Sequence, residues 1–296
     1  MFNITPILKK NINVSARSYT LPLAAGVVNA VLLILGLSGA FSIVMGMENG
    51  TMAEYAAFLK IYALTAFTAY FMLLVTAPAL SAGSISSERQ LRTLDLLLVT
   101  KLRPVEIVAG NCLSILIFMA VIIASCFPML LLPVMYGGVG VLETVGLMFY
   151  FVFEALFLLS AGFFASSAGS SPLKCIITAY ALIFALIFGT GVISFVSGLV
   201  MPEGSNPAAF LLSFNPLLGV LWTVFGQIGE PQAAVDFLRL LHFYPGSFYM
   251  KHLVAANVLC QTALGIVFML LSVYNIAPAR NRRGYGKITI EKQGNV

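Results

Sequence analysis

The chain has very little charge. Only 9% of its residues are Asp, Glu, Lys or Arg, where a soluble domain carries about 25%. That shortage excludes a water-soluble globular fold. Histidine is scarcer still: His242 and His252 are the only two, and no acid is arranged around them, which argues against a metal site. The cysteines are Cys112, Cys126, Cys175 and Cys260. All lie within or beside apolar runs without close pairing, so neither a disulfide framework nor a metal cluster is expected. There is no G-x-x-x-x-G-K-[ST] loop, so the chain should not hydrolyse ATP itself. Gly284-x-Gly286-Lys287 has neither the spacing nor the preceding strand. An H-E-x-x-H motif and a nucleophile elbow with plausible partners are both missing. No catalytic residue, no metal ligand and no cofactor are assigned to this chain.

What is present is apolar. The 296 residues are 60% hydrophobic, and their mean hydropathy is +0.99. In a bilayer every backbone group must be satisfied internally, so only helices or closed barrels can span it. The apolar runs are long and lack period-2 alternation, which selects helices. About 20 apolar residues cross a hydrocarbon core of about 30 Å. The runs that qualify are Leu21–Met45, Leu59–Leu80, Ile107–Met135, Val141–Ala165, Cys175–Val200 and Leu253–Ile276. The expected fold is an all-α integral membrane protein with a single domain, residues 1–296, and no internal repeat. The first run is too long for the apolar core of a secretory signal. Asn49-Gly50-Thr51 is a glycosylation sequon in a loop expected outside, relevant only in a eukaryote.

A further apolar stretch, Ala208–Phe225, is broken at Asn215-Pro216. Parity decides against a seventh span. With six, both termini share a side with Lys9, Lys10, Arg17, Arg89, Arg92, Lys101, Arg103, Lys174, Arg280, Arg282, Arg283, Lys287 and Lys292. The opposite side keeps Lys60, Arg239 and Lys251. By the positive-inside rule the basic side is cytoplasmic. That rule, rather than nucleic-acid binding, accounts for the formal charge of +5. Residues 201–250 are then an outer region holding a broken, re-entrant or interfacial hairpin, with a short surface helix over Ala233–Phe243. Residues 277–296 form a basic cytoplasmic tail. In residues 1–20, Ile4, Ile7, Leu8 and Ile12 recur at helical spacing around Lys9 and Lys10. This fits either an amphipathic helix on the membrane surface or a frayed basic leader.

A polar island, residues 84–104, interrupts the apolar pattern. Ser87 and Gln90 have the spacing of a capping box at a helix start. Leu91, Leu94 and Leu98 then share one face, and Glu88, Arg92 and Asp95 another. Glu88 and Arg92 are an i,i+4 pair with the acid on the N-terminal side, the better orientation. The helix is expected to end near Thr100. Pro104 fits the first turn of the next helix, and Glu106 lies where the helix dipole favours an acid. The charged face is either simply solvated or gripped by a partner.

Pro78 and the segment SISSERQLRTLDLLLVTKLRPVEIVAGN resemble the link between the second and third spans of type-2 ABC exporter permeases. The matching positions are Ile85, Glu88, Arg89, Thr93, Leu94, Asp95, Leu97, Leu98, Thr100, Leu102, Ile107 and Gly110. The chain departs at Arg92, where the family usually has Gly, at Lys101, where Pro is frequent, and at Asn111, where Lys is frequent. An amphipathic N-terminal helix, six spans and a re-entrant hairpin before the last span are also features of that family. The resemblance implies that the island is a cytoplasmic coupling helix docking into a separate ATP-binding cassette ATPase, which would bind ATP and Mg. Its coupling residues would be Ser87, Glu88, Arg89, Arg92, Thr93, Asp95, Lys101 and Arg103. It also implies a second permease subunit, identical or related, and a bacterial plasma-membrane location.

Within the spans, Glu154 is an acid near the middle of the fourth. A buried acid costs several kcal/mol unless paired, neutral or hydrated. It is either a polar contact of a transport path or a protonated group bonded to a neighbour. The second span carries Tyr70 and Phe71 among other polar and aromatic residues, and the fifth carries Thr190 and Ser194. The family resemblance implies that both spans line a central substrate path, while ordinary helix packing accounts for the same residues. The break at Asn215-Pro216, with Gly226 and Gly229, forms an outer gate or merely caps an interfacial helix. The competing functions are a stand-alone channel or ion-coupled carrier, and a membrane scaffold whose island binds a partner other than an ATPase.

Overall fold

The computed structural model describes residues 20–48, 55–92, 103–135, 139–200, 207–241 and 252–276. Within these, every regular element is helical. Helices α1 (Thr20–Glu48), α2 (Tyr55–Gln90), α3 (Pro104–Met135) and α4 (Val141–Ala168) come first. The fifth span is interrupted: α5 (Pro172–Phe184) passes through a π-helical turn (Ala185–Gly189) into α6 (Thr190–Val200). A 3₁₀ helix (Pro207–Phe214), α7 (Pro216–Gln227), α8 (Pro231–Leu240) and α9 (Leu253–Ile276) complete the order. Six helices are long and apolar enough to cross a membrane, as a multi-pass membrane protein requires. They lie where the six apolar runs predict them, but the second continues well beyond Leu80.

α4 is the axis of the bundle. Its span is 61% buried by protein, whereas the others are 11–33% buried. It packs against α2, α3, α5 and α9. Small residues make the closest of these approaches possible. A methyl group added to Gly162 on α4 would lie 2.9 Å from Ser81 Cβ on α2, and Ala82 and Ala165 are buried in the same small cluster. α1 is the least enclosed span. It rests on α2 and α3, and Asn29 donates to Ser125 Oγ at 2.8 Å.

The polar island departs from the sequence reading. No helix starts at Ser87; α2 continues unbroken to Gln90. Ser87 donates its hydroxyl to Ser84 O at 3.0 Å, so it back-bonds inside a helix instead of capping one. The physical reason is that this stretch is not exposed. Ile85 and Ser86 are buried, and both their amides donate to Ser166 Oγ of α4 at 3.0 Å. A cap at Ser87 would serve the amides of Arg89 and Gln90, and in a helix that continues to Gln90 these bond to carbonyls one turn earlier. The helix ends one turn later, where Leu91 N–H donates to Ser87 O and Arg92 N–H to Arg89 O. Arg92 itself has φ 58, so it lies past the helix end and shares no helix face with Glu88.

Residues 93–102 lie outside the described residues. The expected apolar stripe at Leu94 and Leu98, and Thr93, Asp95 and Lys101, fall there. So do the proposed surface helix at residues 1–20, for all but Thr20, and the basic tail, residues 277–296.

The start of α3 follows the sequence closely. Pro104 is its first residue, and the Glu106 carboxylate accepts from Arg103 N–H at 2.9 Å. α4 opens in the same way, with Glu143 accepting from Gly140 N–H at 3.2 Å. In each case an acid in the first turn satisfies an amide that the helix leaves unpaired.

Candidate functional site

Asn215-Pro216 separates the 3₁₀ helix from α7, the two parts of the segment expected as a hairpin, and this break is a junction. Pro216 cannot donate and suits the first position of α7. Asn215 caps that helix, its Oδ1 accepting from Leu217 N–H at 2.9 Å. Its Nδ2 reaches the fifth span and donates to Ile187 O at 2.9 Å and Thr190 Oγ1 at 3.1 Å. Ile187 lies in the π-helical turn. A π turn shifts the backbone register and frees a carbonyl, and here a side chain from the hairpin takes it up. One turn further along α6, Ser194 donates to Leu241 O at 2.9 Å, just past α8.

α9 holds the same junction from its other side. Asn257 Nδ2 donates to Ser213 O and Asn215 O, both at 2.9 Å. Gln261, one turn along on the same face, donates to Asn257 Oδ1 at 2.9 Å. α4 completes the set. Tyr150 Oη lies 3.1 Å from Asn257 Oδ1 and 2.7 Å from Glu154 Oε1. Asn257, Gln261 and Glu154 are all buried. Gly219 of α7 is required by this crowding, because a Cβ there would lie 3.1 Å from Tyr150 Cζ. A second tie runs beside the first. Tyr62 of α2 donates to Gln227 Oε1 at 2.9 Å, and Gln227 donates to Glu143 O at 2.8 Å. The segment is therefore fastened to α2, α4, α6 and α9 by hydrogen bonds, and those of Asn215 and Asn257 lie within the bundle, where few competing partners exist.

The other cluster lies where the island meets α4. Arg89 turns inward, donating Nη1 to Gly169 O at 2.7 Å and Nη2 to Ser167 O at 3.0 Å. These carbonyls terminate α4, and a guanidinium suits the negative end of a helix dipole. Asn275 of α9 donates to Ser167 Oγ at 3.2 Å, and Ser272 donates to Phe163 O at 3.2 Å. The ends of α2, α4 and α9 are thus bound together on this side. Arg92 and Arg103 are exposed there, and Ser87 and Glu88 are half-buried.

Of the residues expected to line a substrate path, Tyr70 and Glu154 face each other and the rest lie apart from them. Tyr70 and Glu154 are in the bundle interior. Thr190 and Ser194 bond the hairpin and the end of α8. Phe71 points outward with 59% of its surface exposed. Tyr150, Asn257 and Gln261 escaped the sequence reading. Their signal was available: Tyr150/Glu154 and Asn257/Gln261 are each an i,i+4 polar pair in an otherwise apolar span, a spacing that puts both members on one face.

In comparisons with known proteins, the chain matches no family model and no curated protein.

Proposed function

We propose that the chain is the membrane-spanning subunit of an ABC exporter, moving substrate across the membrane with ATP hydrolysed by a separate ATPase. The observation that carries this reading is the way α2 leaves the bundle. It runs on through the first part of the charged island to Gln90, and the Arg89 guanidinium clips it to the end of α4. A push on the connection between α2 and α3 would reach the central helix directly. The exposed Arg92 and Arg103 flank that connection, which is the segment resembling the coupling link of the exporter permeases. The resemblance thus receives a mechanical rationale, with a different division of labour. Arg89 acts within the subunit, whereas the exposed Arg92 and Arg103 are left for the partner.

In this mechanism, nucleotide binding draws two ATPases together. The coupling segments of two membrane subunits tilt α2 and α4, and the polar ties at the far side transmit the tilt to the hairpin. The substrate path then opens outward. The test is ATP hydrolysis by the complex purified through this chain from cells that also express an ATP-binding cassette ATPase encoded beside it. The expected result is a stable complex whose hydrolysis responds to substrate. Failure of every such ATPase to associate would overturn the reading.

An ion-coupled carrier is the second reading, favoured by one observation. Both a broken fifth span and a broken hairpin meet near a buried acid, and carriers build ion sites from discontinuous helices. Uptake driven by an ion gradient in vesicles containing this chain alone would select it.

A further inference from the structure

We propose that Glu154 is an intramembrane proton site, in which the neutral carboxylic acid donates to Tyr150 and thereby completes the link from α4 to α9 and the hairpin.

The argument is a count of hydrogens. Tyr150 Oη has one proton to donate, yet it lies within hydrogen-bond distance of two oxygens, Glu154 Oε1 at 2.7 Å and Asn257 Oδ1 at 3.1 Å. One of those groups must supply a proton if both contacts are to attract. Asn257 cannot. Its amide nitrogen is committed to Ser213 O and Asn215 O, and turning the amide over would set its oxygen against both carbonyls. Its Oδ1 also accepts from Gln261 Nε2, so that atom is an acceptor. The proton must come from Glu154. With the acid neutral, Glu154 donates to Tyr150, Tyr150 donates to Asn257, and Asn257 donates to the hairpin. Every contact then pairs one donor with one acceptor.

The surroundings point the same way. Glu154 is fully enclosed, and its Oε2 has no hydrogen-bond partner; besides Tyr150, the Gln261 amide of α9 offers the carboxyl one donor. An ionised carboxylate needs several donors or a cation to survive at such depth. The titratable groups facing it are Tyr150 on its own helix and Tyr70 on α2. Tyr70 Oη is buried without a hydrogen-bond partner. α9 presents Asn257 and Gln261, with Cys260 on the neighbouring position; the hairpin presents Asn215; α7 has no acid or base. Beyond Glu106, α3 offers only the thiols Cys112 and Cys126, and Cys126 donates to Ile122 O. The cations of the packed helices, Lys60, Arg89 and Lys174, are within a few residues of helix ends.

Loss of the proton would leave Tyr150 with one hydrogen for two acceptors. The Tyr150–Asn257 contact would then set lone pair against lone pair, and α4 would release the hairpin junction.

Infrared difference spectroscopy on the full chain in lipid bilayers at pH 7 tests this. The expected result is a protonated-carboxyl C=O band that is lost in Glu154→Gln and displaced in Tyr150→Phe, where the acid loses its acceptor. Glu154→Gln should keep the wild-type Tm, because its amide still donates to Tyr150. Glu154→Leu should lose about 5 °C or more. A carboxylate band assigned to Glu154 would overturn the proposal. So would a Glu154→Gln chain that unfolds as readily as Glu154→Leu, or a carboxyl band that Tyr150→Phe does not move.

Discussion

Asn257 joins three parts of the molecule through one amide. It binds two hairpin carbonyls, accepts from Gln261, and meets Tyr150. Asn257→Leu would leave several buried polar groups unpaired, each worth about 1–3 kcal/mol. A loss of about 3 kcal/mol or more is expected in equilibrium unfolding, with faster hydrogen exchange in α7. Arg92 gives the opposite sign. Its left-handed backbone, φ 58, costs a non-glycine residue about 1–2 kcal/mol. Arg92→Gly should stabilise the fold by about 0.5–1 kcal/mol, once glycine's greater unfolded-state freedom is subtracted. The site resembles a family position usually held by Gly, so the departure visible in the sequence falls at the residue whose geometry asks for glycine. Glu154 was legible as an anomaly because an acid in the middle of an apolar run stands out. Its partners were not, because spacing shows which residues share a face but not which faces meet.

Elements were legible where local chemistry ends a helix. Pro104 and Glu106 marked the start of α3, and Asn215-Pro216 marked the break in the hairpin. The end of α2 was not, because tertiary contacts override the local signal. Ser87 and Gln90 have the spacing of a cap, but Ser166 holds the neighbouring amides inside a continuing helix. The π turn in the fifth span left no mark in composition; it is paired to Asn215 from a distant segment. Two predictions belong here. Gly162→Ala should cost about 1–3 kcal/mol in thermal or denaturant unfolding, since its methyl would press on Ser81. Arg89→Ala should cost about 1–2 kcal/mol by freeing two half-buried charge-assisted bonds. Spin labels on the ends of α2 and α4 should then show a broadened distance distribution, with Arg89→Lys restoring only part of the order because one ammonium cannot span both carbonyls.

For the whole molecule, hydropathy predicted the six spans because a bilayer demands long apolar helices whatever their arrangement. It did not predict which helix is central. α4 is no more hydrophobic than its neighbours; it is central because its small residues and its Tyr150–Glu154 face let other helices close around it. The working picture is a bundle clipped at one end by Arg89 and tied at the other through Asn257, so that motion imposed at the charged connection reaches the hairpin. Its most direct test is the ATP hydrolysis rate of the complex between this chain and a co-expressed ATP-binding cassette ATPase, compared with the double variant Arg92→Glu, Arg103→Glu. The account predicts that the wild-type chain retains the ATPase through purification and supports substrate-responsive hydrolysis. The double variant, still folded, should lose that response by about tenfold or more, equivalent to at least about 1.4 kcal/mol of coupling. An unchanged response in the double variant, or a chain that retains no ATPase, would contradict it.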